Sequence, residues 1–347
     1  MRRRKALDFA VGKDEAGFTL AELLVSTVVT LMVLAAALGA FADAIRITEA
    51  ARETTDTNQN LEVSTNMLLR DFIQAGQGIP LGGIPVPSGT GAAQVERPSP
   101  AGSNMKFAVG TEAIPAVTPG GSLGPVVLGV ETDMAHVLYA DPSLPLNSLP
   151  LTAIANDGSS MTVPDGIDIG GQDEIQAGNL ILFSNAFGNA VQMVTSRDGQ
   201  TVFFATGDAM NLNQRGVAQG TIMNLRSGAT FPPTTATRIN LISYYIDAVT
   251  DPALPRLVRQ VNMGTRLAIA LGIENYQVTY DLVDGGTNPT NVENPVEPSS
   301  PNHIRKANLF LAARALAVNP RTRQFFRNTV ATQVSLRSLA FVDRYDQ

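Results

Sequence analysis

No cysteine occurs among the 347 residues, which excludes a disulfide framework, a cysteine zinc site, an iron–sulfur cluster and a thiol nucleophile. Histidine occurs only twice, as His136 and His303, so a histidine-rich metal site is disfavoured as well. Charged residues make up 16% of the chain and sum to −6, and past the first few positions there is no basic cluster of the kind that grips a phosphate backbone. This argues against nucleic-acid binding through a basic face. Nucleophile elbows, phosphate loops and zinc motifs are missing too, so an enzyme would have to rely on scattered residues, and no cofactor is implied. Turn chemistry is plentiful, with 30 glycines and 21 prolines in a chain long enough for one large or two ordinary domains.

The amino end carries the strongest pattern. Met1–Lys5 reads Met-Arg-Arg-Arg-Lys, the chain stays polar nearly to Gly17, and Leu23–Ala42 then runs without a single charge. At about 1.5 Å per residue, one helix of this length covers the ~30 Å hydrocarbon core of a bilayer. Basic residues precede the span and Asp43, Glu49 and Glu53 follow it, so the positive-inside rule puts the amino end in the cytoplasm and the bulk of the chain outside. A secretory signal peptide is the competing reading, because Ala40-Phe41-Ala42 has the form of a small-residue cleavage site. Two features oppose it. The apolar run exceeds the usual ~7–15 residues of a signal core, and a polar stretch with Asp8, Asp14 and Glu15 separates it from the basic residues. Glu22 is the anomaly, since a carboxylate at the edge of an apolar span costs up to a few kcal/mol and needs a partner or a task.

Gly17-Phe18-Thr19-Leu20-Ala21-Glu22-Leu23-Leu24, behind a basic leader and ahead of an uncharged helix, resembles the processing motif of type IV pilins and type II secretion pseudopilins. The resemblance implies that a prepilin peptidase cuts after Gly17 and that the new amino group of Phe18 is methylated. Glycine suits the cut because it lets a protease approach the backbone closely. A single-pass inner-membrane subunit with a periplasmic head is implied, one that meets other minor and major pilins through its helix and ends in a surface pilus or a periplasmic pseudopilus. Glu22 would serve assembly by pairing with a Phe18 amine. Losing a leader of net charge +2 would take the mature chain to −8. Major pilins commonly have a proline in the membrane segment, whereas this chain has none between Gly17 and Ile79.

Beyond the span, Asp43–Asn60 is polar and helix-forming, and Leu61, Met67, Leu68 and Phe72 then return as an apolar stripe that should dock on a head. Ala75-Gly76-Gln77-Gly78-Ile79-Pro80 supplies the stop. The chain thus reads as a leader over 1–17, a helix over 18–78 with its membrane part at 20–42 and its docked part at 43–76, and a head over 79–347 with loops at 79–125 and 284–302.

Within the head, a short strand is expected near Lys106–Val109 and another at Ala135–Tyr139. Asn179–Ser184, Ala190–Ser196 and Thr201–Ala205 read as an antiparallel meander, and Ile239–Ile246 with Arg256–Val261 as a hairpin across Asp251-Pro252. Tyr276, Val278, Tyr280 and Leu282 alternate along one more strand, and Leu309–Ala315 and Thr329–Leu336 supply two others. The expected fold class is α+β, a long N-terminal helix packed on a mainly antiparallel β head. With Tyr244-Tyr245-Ile246-Asp247 and the closing segment Thr332–Leu339, this order is similar to PilW-type minor pilins and to pseudopilin J. That resemblance implies a minor pilin acting in assembly or initiation of a type IV pilus, in its tip complex. A type II secretion minor pseudopilin, or an exported enzyme or adhesin on an ordinary membrane anchor, are the other readings. Asp165, Asp168, Asp173 and Glu174 offer oxygen ligands of the kind calcium takes, yet their spacing is not that of an EF-hand and a solvated acidic loop is the preferred reading. His136, inside an apolar strand, is expected to be a hydrogen-bonded core residue, and His303 to be exposed.

Overall fold

The computed structural model describes residues 17–171, 174–295, 301–319 and 322–339. The leader before Gly17, Asp173 and the stretch 296–300 of the 284–302 loop lie outside the described residues. The chain divides into two units, Met1–Arg52 and Glu53–Gln347.

The first unit contains the opening of a single helix, α1 (Leu20–Gln74, 55 residues). Leu, Ala and Met, all good helix formers, dominate its early turns, and no proline interrupts it. Every residue from Gly17 to Glu49 is exposed, so the aliphatic side chains of Leu20–Phe41 lie uncovered. The stretch is long and apolar enough to cross a membrane.

In the second unit the same helix changes character. Thr57, Leu61, Ser64, Thr65, Leu68, Asp71 and Phe72 are buried at spacings that define one helix face. The helix stops where Gly76 adopts φ 81°, a conformation that a side chain would disfavour. Gly76 N–H donates to Leu138 O at 2.8 Å and Ala140 N–H to Gln77 O at 2.7 Å, so the helix end is stitched to a strand.

The strands are β1 (Ile84–Pro85), β2 (Ala113–Ile114), β3 (Val117–Thr118), β4 (Met134–Ala140), β5 (Ala153–Ile154), β6 (Ser160–Thr162), β7 (Leu180–Asn185) and β8 (Gly188–Met193). They continue as β9 (Ser196–Asp198), β10 (Thr201–Phe203), β11 (Thr235–Asp247), β12 (Arg256–Val261), β13 (Arg266–Leu271), β14 (Ile273–Leu282), β15 (Ile304–Val318) and β16 (Phe325–Ser335). The main sheet runs β13-β12-β11-β4-β3, with β7 also on β11 and β8 on β7; a second sheet is β14-β15-β16, and β5-β6-β10-β9 and β1-β2 form small ones. Every pairing between the named strands is antiparallel. The α+β architecture is therefore the observed one.

The principal core lies among the buried face of α1, the main sheet and the three-stranded sheet. Leu61, Leu68 and Phe72 meet Val137, Tyr139, Tyr244, Ile246, Tyr276, Val278, Leu309 and Leu311 there. Alternation along β4 sends Ala135, Val137 and Tyr139 to this side and Leu138 to a second core with Ile84, Val86 and Leu241. Residues 79–125, expected as loop with at most one short strand, contain β1, β2 and β3; Ile84, Val86, Val95, Phe107 and Ile114 roof the far side of the main sheet, whereas β3 joins that sheet. One glycine lets the chain pass between sheets. At Gly272 (φ 70°) β13 leads into β14, and a Cβ there would sit 2.5 Å from Arg314 O.

Two expectations need correction, and one strand gives no signal in the sequence. Lys106–Val109 is not a strand; Lys106 makes one isolated bridge to Glu96. The meander is two hairpins in different sheets, because β8 ends at Met193 and Thr195 turns its hydroxyl to accept Ala205 N–H at 2.9 Å, a local side-chain bond that breaks the ladder. Strand β13 went unread, since its exposed Arg266, Leu267 and Ala268 show no alternation.

Candidate functional site

At the start of α1 the sequence Thr19-Leu20-Ala21-Glu22 closes on itself. Glu22 Oε2 accepts Thr19 N–H at 3.0 Å and the Thr19 hydroxyl at 2.9 Å, while Thr19 Oγ1 accepts Glu22 N–H at 3.2 Å. This is a capping box, which satisfies amides that an N-terminus leaves orphaned. The sequence carries it as Thr-x-x-Glu ahead of an apolar run. The bonds use Oε2; Oε1 takes none from a described residue. Gly17 and Phe18 precede the cap as exposed, non-helical residues, with Phe18 83% exposed.

Hydroxyls within the apolar stretch are satisfied internally. Ser26 donates to Leu23 O, Thr27 to Leu24 O and Thr30 to Ser26 O, at 2.7 to 2.9 Å. These bonds remove the cost of carrying polar groups in hydrocarbon, leaving Glu22 as the ionisable group of the stretch.

A prokaryotic N-terminal methylation motif, as a family model, matches residues 12–38. This chain carries the type IV pilin and pseudopilin signature. Comparisons with curated proteins and with solved structures each found no match. The pilin signature implies processing by a prepilin peptidase and contact with other pilins, and together with the apolar helix it fits an inner-membrane anchored subunit.

In the second unit, the docked half of the helix is held by a buried charge. Asp71 accepts Arg259 Nε at 2.7 Å, Arg259 Nη2 at 3.3 Å, Tyr244 Oη at 2.5 Å and Tyr139 Oη at 3.1 Å. Burial, followed by the adjacent carboxylate, pushes the Tyr139 phenol up to about 12 and raises that of Tyr244 further. Nothing local in the sequence announces this cluster, whose members come from α1, β4, β11 and β12.

A second interior cluster bears on the enzyme reading. His136 Nδ1 lies 2.7 Å from Ser243 Oγ, which superficially resembles a nucleophile and its base. Arg97 Nε, however, donates to His136 Nε2 at 2.7 Å, so Nε2 must be the bare nitrogen and Nδ1 carries the proton toward Ser243. In that tautomer the ring cannot take the Ser243 proton. Both residues are fully buried. Burial, reinforced by the Arg97 cation, holds the imidazole well below its usual range and hence neutral. Arg97 itself is lowered to about 10 by burial, with Pro119 O as its other acceptor at 2.7 Å. The cluster is a polar core, and the pilin signature points to a structural protein.

The acidic candidates are not brought together. Asp168 accepts its own loop amide from Gly170 at 2.9 Å, Glu174 pairs with Arg197 Nη2 at 3.3 Å, and Asp165 makes no described hydrogen bond. No cluster of three or more His, Cys, Asp or Glu suited to a metal exists among the described residues. His303 is half-buried rather than exposed, and its Nδ1 lacks a partner.

Proposed function

We propose that the chain is a minor pilin, cut after Gly17 and methylated on Phe18, that acts in assembly or initiation of a type IV pilus within its tip complex. The observation that carries the reading is the methylation motif at residues 12–38 coinciding with an exposed Gly17-Phe18 bond and a capped, uncovered apolar helix. In this reading the amino end is cytoplasmic and the head periplasmic, as the basic leader requires. A head of this size, with its long loops, suits a tip, where neighbours lie on one side, better than a repeating shaft.

Glu22 then has two tasks. One carboxylate oxygen caps its own helix, and the other is available to the Phe18 amine of a neighbouring subunit. That pairing removes two poorly solvated charges and sets axial register, because the charges meet at a single offset. Mass spectrometry of the membrane-extracted protein should find a chain beginning at N-methylated Phe18. An intact Met1, or a start at Asp43, refutes the reading. Sheared filaments should contain the protein at a small fraction of the major subunit. Recovery with type II secretion components in place of pilus subunits would move it to the pseudopilins, which share the signature.

A further inference from the structure

The charge of the chain is unevenly distributed. Ile304–Leu339 carries seven arginines and lysines and no aspartate or glutamate, although the whole chain sums to −6. These cations are spread too widely to form a basic run, and it is the β15–β16 hairpin that gathers three of them. Arg314 and Arg327 stand directly opposite one another in the ladder, and like charges in that position destabilise a sheet unless a counter-charge bridges them. Glu274 is the bridge, accepting Arg327 Nε at 2.7 Å and lying 3.3 Å from Arg314 Nε. The Phe325 ring lies under the Arg314 guanidinium at 4.0 Å. Arg323, in the turn, is exposed. Even with Glu53 counted, which accepts Ala317 N–H at 3.4 Å, three guanidiniums at this end of the hairpin meet two carboxylates.

Two bonds fix where the hairpin points. Asn328 Nδ2 donates to Asn58 Oδ1 at 2.8 Å, and further along the hairpin Ala317 N–H donates to Glu53. The hairpin therefore follows the docked half of α1 toward its amino side. Its turn, closed by Asn319 N–H to Gln324 O at 3.0 Å and Arg323 N–H to Asn319 O at 2.8 Å, lies beyond Glu53. Up to Ala315 the outward residues of β15 alternate with buried ones, whereas Leu316, Ala317 and Val318 are all exposed. A strand that stops alternating has run past its core. Leu316 and Val318, 48% and 43% exposed, are left in water at a cost.

The helix brings a membrane to this end of the head. Residues 43–52, about 15 Å of helical rise, are all that separates Glu53 from the uncharged stretch Leu23–Ala42. A tether that short keeps the turn at a membrane surface whenever the stretch spans the bilayer. Aliphatic side chains set among arginines suit that surface, since methyl groups enter the acyl boundary while guanidiniums stay with the phosphates.

We infer that the end of the β15–β16 hairpin docks the head on the membrane that holds its own helix. Leu316 and Val318 enter the headgroup layer, and Arg323 and Arg327 pair with the phosphates of anionic lipids. The inference rests on the membrane-anchored reading of α1 and is independent of which pilin class the chain joins.

The test uses the full chain inserted through α1 into phosphatidylcholine vesicles, with or without phosphatidylglycerol, that also carry a lipid-borne quencher. As the parent has no cysteine, Thr322→Cys places a unique fluorophore in the turn. Leu81→Cys places one on a residue 75% exposed, past the far end of α1 and about 30 Å of helical rise from Glu53. The label at Thr322→Cys should be quenched in phosphatidylglycerol vesicles and the label at Leu81→Cys should not. Arg323→Glu should lower the docked-to-free ratio about thirtyfold, at roughly fivefold per unit of charge, and Arg323→Lys should preserve it. Leu316→Ser should lower it roughly fivefold. Molar salt, which screens the contact without any substitution, should act as Arg323→Glu does and keeps the test valid if that variant misfolds. An unquenched label at Thr322→Cys, equal quenching with and without phosphatidylglycerol, or equal quenching at both positions would overturn the inference. Vesicle flotation accompanies every arm. A chain that floats with its turn unquenched defeats the docking alone, whereas a chain that does not float defeats the anchored reading.

Discussion

Replacing Asp71 by alanine should loosen the docked half of α1 from the sheet, and the size of the effect can be worked from its partners. The carboxylate is 3% exposed and accepts four bonds, two of them from Arg259, whose side chain is itself mostly buried. Removing it leaves a guanidinium without its counter-charge, the Tyr139 phenol without an acceptor and the Tyr244 phenol with only the long bond to Met67 O at 3.3 Å. Breaking one partner of such a pair costs about 3–5 kcal/mol, whereas replacing both members with apolar residues is often near neutral. Asp71→Ala should therefore lower the unfolding midpoint by roughly 10 °C. Asp71→Leu combined with Arg259→Leu should recover most of the loss. Asp71→Asn, which keeps the shape and one acceptor, should fall between. Urea unfolding of the detergent-solubilised full chain, followed by tyrosine fluorescence, gives the cycle directly. If Asp71→Ala costs less than about 1 kcal/mol, or the double variant is worse than either single one, the charge does not hold the helix and the argument fails.

Glu22→Val should preserve insertion and cleavage but lower co-purification with partner subunits, with Glu22→Asp intermediate; equal recovery of Glu22→Val would remove the carboxylate from assembly. His136 is neutral in the fold and has an ordinary value of 6.5 when released, so its contribution is present above that value and lost as pH falls below it. Stability measured from pH 7 to 5 should decline less steeply in His136→Gln, and parallel curves would contradict the assignment. Tyr139 and Tyr245, each raised to about 12 from 10.0 by burial, stabilise the protein below pH 10 and lose that contribution as pH rises toward 12; Tyr245→Phe should flatten this alkaline limb, seen as delayed phenolate absorbance at 295 nm.

The elements that the sequence revealed are those whose cause is local. The apolar length of Leu23–Ala42, the stripe Leu61, Leu68, Phe72 and the period-two run Tyr276–Leu282 each state their environment within a dozen residues. What could not be read depends on distant pairing. Asp71 looks like one more helix carboxylate until Arg259 arrives 188 positions later. The strand β13 has no burial pattern of its own and exists because β12 offers it an edge. His136 gave its burial away through its apolar neighbours, yet its tautomer is set by Arg97, from a glycine- and proline-rich stretch that carries no periodic signal. At the amino end the motif is plain, and its Thr-x-x-Glu spacing also encodes the cap that Thr19 and Glu22 make.

The core that seats α1 is shared between the first and last described parts of the head. Leu61, Leu68 and Phe72 pack in one cluster with Val334, Leu336 and Leu339. Hairpins such as β7–β8 and β11–β12 can form as they emerge, but this cluster cannot close until the final strand is present. In a chain synthesised amino end first, the helix face waits uncovered until the rest of the head has been made. Interruption anywhere before Val334 leaves that face bare, a signal that chaperones and proteases can read. Completion of the chain and closure of the core that seats the helix thus become the same event, timed by the last dozen described residues.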